Sequence, residues 1–240
     1  MKRIVFLASL ALFFFSSCRF LDQEHVKGDG NIVTQSRQVG NFVGIDAGGA
    51  TNVEITQDSA YSIKIEVDNN LQEYIEVSVE NGILYVRQRD NTSINPSRDI
   101  KVYVSAPLFN KLFASGASSI ITKSRISSDD KIKLDASGAS KIEVDMKVPQ
   151  VDADLSGASF VSVKGETKII YIGCSGSSEV KAFDLLAESA DVDLSGASHA
   201  EVYASVKLDA KASGASDIRY KGNAAVTSDV SGAGSIEKEN

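Results

Sequence analysis

VDADLSGASFVSV, residues 151–163, holds the reading of the whole chain. Val151, Ala153 and Leu155 alternate with Asp152 and Asp154, four small residues follow, and Val161 and Val163 resume the alternation. Period-two patterning marks a strand with one buried face, so the stretch reads as strand, corner, strand. Its centre, DLSGAS, recurs unchanged at 193–198. Variants stand at FASGAS 113–118, DASGAS 135–140, GCSGSS 173–178, KASGAS 211–216 and DVSGAG 229–234.

The corners begin at Ser115, Ser137, Ser156, Ser175, Ser195, Ser213 and Ser231, spaced 22, 19, 19, 20, 18 and 18 residues apart. Aligned on them, the residue one before each corner is Ala114, Ala136, Leu155, Cys174, Leu194, Ala212 or Val230. Three before stand Leu112, Leu134, Ala153, Ile172, Val192, Ala210 and Ser228. No coil carries apolar residues at helical spacing, so no crossover helix is available. Like strands of successive repeats must then stack, and a coil near twenty residues that does so is a parallel β-helix. Glycine permits the corner backbone, the next Ala or Ser is expected on a crowded inside corner, and serine hydroxyls satisfy backbone groups at the bend. The structural corners are Gly49, Gly116, Gly138, Gly157, Gly176, Gly196, Gly214 and Gly232, with GGAT 48–51 as the earliest.

From 28 to 110 the pattern loosens. Asn81-Gly82 between IEVSVE and ILYVRQ is a hairpin signal. Asp90–Arg98 reads as a loop, and the 67-residue step from Gly49 to Gly116 as about three longer rungs with hairpin excursions. This half is expected to be the broader, capped end of the same structure, or failing that a separate small β domain.

At the amino end, Lys2-Arg3 precedes an apolar run, Ile4–Phe15, and Ser16-Ser17-Cys18. The run is short for a bilayer span and has the layout of an export signal. Small residues before a cysteine resemble a bacterial lipobox, which makes Cys18 the acylated residue, although Phe15 stands where Leu is usual. Ordinary signal cleavage or a retained anchor are the alternatives. Residues 19–27 then form a tether to a β-helix domain over 28–240, with irregular rungs to 110 and SGAS coils from 111. The expected location is the outer membrane or cell surface, with the membrane reached through the lipid.

Cysteine is limited to Cys18 and Cys174, which leaves no internal disulfide. The formal charge is −7 and no basic run is present, which argues against nucleic-acid partners. A Ser–His nucleophile is not expected: the corner serines precede glycine, no helix follows, and the two histidines are His25 in the tether and His199 in a variable outward slot. Cys174 occupies an inward slot and is expected to be a core thiol. Asp135, Asp152, Asp154, Asp191, Asp193, Asp209 and Asp229 are expected to point outward, as a solvated face or a weak Ca²⁺ site. Phe160 and Tyr171 are the outward rings on which a sugar would stack. No metal site, catalytic residue or cofactor is assigned. The charged finish from Glu237 is expected to blunt stacking between chains.

GDGNIV 28–33, FVGIDAGGATNVEITQ 42–57, VDNNL 67–71, VENGILYV 79–86 and IKVYVSAPLFNKLFASGASSI 100–120, followed by the SGAS ladder, resemble in order and spacing the autotransporter-adhesin head GIN domain family of exported Bacteroidota proteins. The resemblance implies a right-handed β-helix, often on a lipoprotein. It brings no catalytic or binding residue, and fold alone does not fix function. The function expected is a non-enzymatic envelope or surface lipoprotein that binds host or matrix glycan or protein. A structural or regulatory envelope lipoprotein without external ligand is the alternative, and a carbohydrate-active enzyme stands behind both. The oligomeric state is left open.

Overall fold

The structure is a computed structural model and describes residues 24–239. The Ile4–Phe15 run, Cys18 and the first part of the tether lie outside the described residues. Among the described residues the regular elements are strands, with one 3-10 turn at Asn69–Tyr74. No helix among them is long and apolar enough to cross a membrane.

Strands that enter the corners pair with one another in parallel: Gly44–Ala47, Lys111–Ala114, Ile132–Ala136, Gln150–Leu155, then the later halves of Phe160–Cys174, Glu179–Leu194 and His199–Gly214, then Ala225–Gly232. Strands that leave the corners do the same from Thr51–Gln57 through Ser119–Thr122 and Lys141–Lys147 to Ser235–Lys238. The molecule is a parallel β-solenoid, as the repeat predicts. The alternation decides what it buries. Leu112, Leu134, Ala153, Ile172, Val192 and Ala210 line the interior, and each is at most 2 % exposed. In the last described coil the same slots are open, with Val226 39 % and Val230 45 % exposed. The charged residues expected to guard this end sit on Ser235–Lys238 and just beyond it, whereas Ala225–Gly232 carries one charge, Asp229.

Hydrogen bonding continues around the corner. Ala117, Ala139, Ala158, Ser177, Ala197, Ala215 and Ala233 each donate their amide to the corner glycine carbonyl of the preceding coil at 2.7 Å. That contact is why the second corner residue is glycine. Gly157 has φ +77°, and a Cβ there would lie 2.6 Å from the carbonyl oxygen of Gly138. The left-handed glycine also breaks the alternation, so the Ala after it faces solvent, contrary to the expected inside corner. The final Ser turns inward instead. Ser118, Ser140, Ser159, Ser178, Ser198 and Ser216 are all buried. Ser159 Oγ donates within reach of Ala136 O at 3.1 Å and Ser156 O at 3.0 Å, which satisfies carbonyls that the corner would leave bare.

The irregular half differs from the sequence expectation in topology. Gly116 stacks directly on Gly49, so no coils intervene between them. The residues between form a cap on the opposite side of the first coil. Ile83–Gln88 runs parallel to Gly44–Ala47, and Ile100–Ala106 runs parallel to Thr51–Gln57. Each then takes an antiparallel neighbour, Ile75–Glu80 on one face and Ser62–Asp68 on the other, with Ile32–Arg37 outermost. Asn81 (φ 50°) and Gly82 (φ 75°) make the tight hairpin that their sequence announces. Because the cap is hydrogen-bonded to the first coil on both faces, it is not a separate domain. Within the segment read as a loop, Thr92–Asn95 is a strand paired in parallel with Glu24–Lys27, the last residues of the expected tether.

Asp68 locks the cap together. It is fully buried and accepts hydrogen bonds from Gly30 N at 2.8 Å, Ser97 N at 2.9 Å and Ser97 Oγ at 2.6 Å. Burial works to raise its pKa, but these donors outweigh it and hold the carboxyl below its ordinary value.

Candidate ligand-binding groove

The outward positions before the corners form two columns. Parallel register places Asp135 beside Asp154, then Gly173, Asp193, Lys211 and Asp229. The second runs Lys133, Asp152, Tyr171, Asp191, Asp209. The seven aspartates therefore share one face, as the alternation requires. Cations already serve its near end: Lys131 Nζ lies 2.9 Å from Asp152 Oδ2, and Lys133 Nζ lies 3.3 Å from Asp154 and 3.8 Å from Asp135. Burial tends to raise the pKa of Asp152, yet Gln150 and Lys131 bring it below the ordinary value. Among the described residues, no three His, Cys, Asp or Glu side chains converge closely enough to hold a metal ion. Gly173 interrupts the first column and leaves a shallow recess of about 500 Å³ between Asp154 and Asp193.

Cys174 is buried, and desolvation, helped by the charge of Asp154, pushes its thiol up to about 12. Such a thiol is inert core material. His199 stands in its column between Glu179 and Asp217, with Glu201 as an ion-pair candidate at 3.8 Å. The ring of Phe160 is covered on both sides, since Lys141 and Lys181 each place their ammonium 5.6 Å from its centroid. Tyr171 is 43 % exposed and stands in the column of Asp152 and Asp191. The structure therefore does not bring Phe160 and Tyr171 together as a sugar platform: they sit on opposite sides of a corner.

A larger recess lies elsewhere, along the bends opposite the SGAS corners. It is an open groove of about 920 Å³ built by five successive coils. Ser127–Asp129, Lys147–Pro149, Glu166–Lys168, Leu186–Glu188, and Tyr203 with Ser205 each contribute one step. Register confirms the stacking: Lys147 pairs with Glu166, Glu166 with Leu186, Thr167 with Ala187, and Ala187 with Ala204. The unequal coil lengths are taken up here, because register slips occur between Ser162 and Gly165 and on both sides of Ala187, while every corner keeps step. Buried residues (Val148, Thr167 and Ala187) form the floor. Above them Leu186 is 55 % exposed. Lys147 is tied to Glu166 at 3.0 Å, whereas Lys168, Glu188 and Asp129 have no ion pair among the described residues.

Fold and groove together define a repeat-built protein with a long open groove along its side. Residues 41–224 match the family described as "Putative auto-transporter adhesin, head GIN domain", and the chain belongs to that family. Solved structures share the fold. A "putative adhesin" from Bacteroides fragilis is 20 % identical, with TM-score 0.83 over 89 % of this chain and 100 % of that one. A "putative lipid binding protein" from Parabacteroides distasonis is 22 % identical, with TM-score 0.75 over 90 % of this chain and all of the other. A "putative adhesin" from Parabacteroides merdae is 22 % identical, with TM-score 0.73 over the same 90 % and 100 %. No curated protein matches the chain.

Proposed function

We propose that this chain is a non-enzymatic adhesin of the cell envelope, exported, held to the membrane through a lipid on Cys18, and binding an external glycan or protein along the side of its solenoid. The observation that carries the reading is the groove: a five-coil open face on a hydrogen-bonded stack, which is built for contact over length rather than for enclosing a reacting group. Membership of a family named for adhesins supports the same reading. Turnover of a glycan needs an acid and a base positioned around one bond, in a cleft shaped for it. Here Glu166 is engaged by Lys147, and the remaining groove carboxylates lie on an open surface.

The test is a glycan and extracellular-matrix array probed with residues 19–240, with and without Ca²⁺, alongside surface labelling of intact source cells. Reproducible binding to one ligand class by a protein that is labelled from outside supports the adhesin. A blank array with folded protein, or no labelling from outside, overturns it in favour of an envelope lipoprotein without external ligand. Dependence on Ca²⁺ moves the binding face to the aspartate columns.

A further inference from the structure

The adhesin reading leaves the ligand class open, and the groove narrows it. Five coils at the inter-strand spacing give it a length of about 19 Å along the solenoid axis. It is open along its length, so it offers no closed apolar tunnel of the kind an acyl chain needs to leave water. Its steps present hydroxyls and unpaired charges: Ser127, Ser128 and Ser205 for the first, Lys168, Glu188 and Asp129 for the second. Two apolar surfaces stand among them, the exposed Leu186 and the half-buried ring of Tyr203. Alternating hydroxyl-binding groups and small apolar platforms suit a ligand that is polar at its edge and apolar on its faces. A pyranose ring has that character. An extended chain of β-1,4-linked pyranoses also rises by slightly more than one coil spacing per sugar, so successive sugars advance along the groove almost in step with the coils.

We propose that the groove binds a linear oligosaccharide laid along the solenoid axis, with about four sugars in contact with five coils. Leu186 and Tyr203 pack against sugar C–H faces, and Lys168, Glu188 and Asp129 bond the ring hydroxyls. The presence of both charge signs fits a neutral or N-acetylated sugar better than a polyanion. This inference rests on the adhesin reading and adds the site and the ligand class to it.

The experiment is calorimetric titration of residues 19–240 with β-linked di-, tetra- and hexasaccharides of glucose, mannose, xylose and N-acetylglucosamine. Leu186→Asp, Glu188→Lys and Lys211→Glu variants are titrated in parallel. Leu186, Glu188 and Lys211 are exposed, so none of these substitutions disturbs the core, and Lys211 lies on the aspartate side away from the groove. The expected result is binding to at least one series, stronger for tetra- than disaccharide and level beyond. Leu186→Asp and Glu188→Lys each weaken it about tenfold, and Lys211→Glu leaves it unchanged. Saccharide binding that both groove variants retain overturns the site while the adhesin reading stands. Binding to a matrix protein on the array, with none to any saccharide, overturns the ligand class alone. Failure of every probe, with folded protein, overturns inference and adhesin together.

Discussion

Replacing Gly157 by Ala, beside the same change at Gly49, separates two costs that the corner imposes. Both glycines have φ +77°, so both substitutions force an alanine into the left-handed region, at about 1–2 kcal/mol. They differ in what lies beneath. The Cβ added at Gly49 meets nothing nearer than Gln88 Cβ at 3.9 Å, because the cap carries no glycine corner under the first coil. The Cβ added at Gly157 lies 2.6 Å from Gly138 O and 3.1 Å from Gly138 N. Relief requires the two coils to part, which strains the 2.7 Å hydrogen bond from Ala158 N to that same oxygen. Overpacking of this kind adds about 1–3 kcal/mol. Gly49→Ala is therefore expected to cost about 1–2 kcal/mol and Gly157→Ala about 2–5 kcal/mol. Urea unfolding followed by circular dichroism reads both, with amide exchange at Ala158 and Ser177 locating the damage. In a stacked array the loss should spread to adjacent coils and fade with distance. Equal losses in the two variants, to within about 0.5 kcal/mol, would show that corner stacking is not what selects glycine.

Two further perturbations probe the cap and the core. Asp68 has a folded pKa below 3.8, so it contributes stability above that value that is lost as pH falls through the folded pKa. Asp68→Asn should lower the urea midpoint near neutrality and flatten its fall between about pH 5 and pH 3, and parallel curves for the two proteins would refute the clamp. Cys174, buried with its thiol at about 12, should resist a neutral-pH thiol reagent in the native protein and react only as the coil opens in urea. Native labelling as fast as that of a free thiol would place it outside the core.

The solenoid was legible because two signals repeat in phase. One is alternation, which put Leu134, Ala153 and Ile172 inside; the other is the corner, whose period left only a stack as the solution. The inward turn of Ser159 was hidden, because Ala158 and Ser159 are both small and nothing in their letters says which faces the core. The cap was misread for a physical reason. Ile83–Gln88 and Ile100–Ala106 alternate like any coil strand, and alternation fixes which face is buried without fixing the neighbour. Only the register shows that they lie under the first coil rather than between Gly49 and Gly116. The groove carried no signal of its own. Asp129, Lys168, Leu186 and Tyr203 share no letter and no fixed spacing, since the bends absorb the differences in coil length.

The placement of the cap also sets an order of assembly. Its last strand ends at Ala106, before the first SGAS coil begins, so a chain made from its amino end completes the cap and the first coil's template first. Growth then has a seed. Each later coil arrives beside an edge already ordered, and needs to fix only about twenty residues against it rather than find a partner far along the chain. The Gly49 corner, closed beneath by the cap, leaves one direction in which the stack can lengthen.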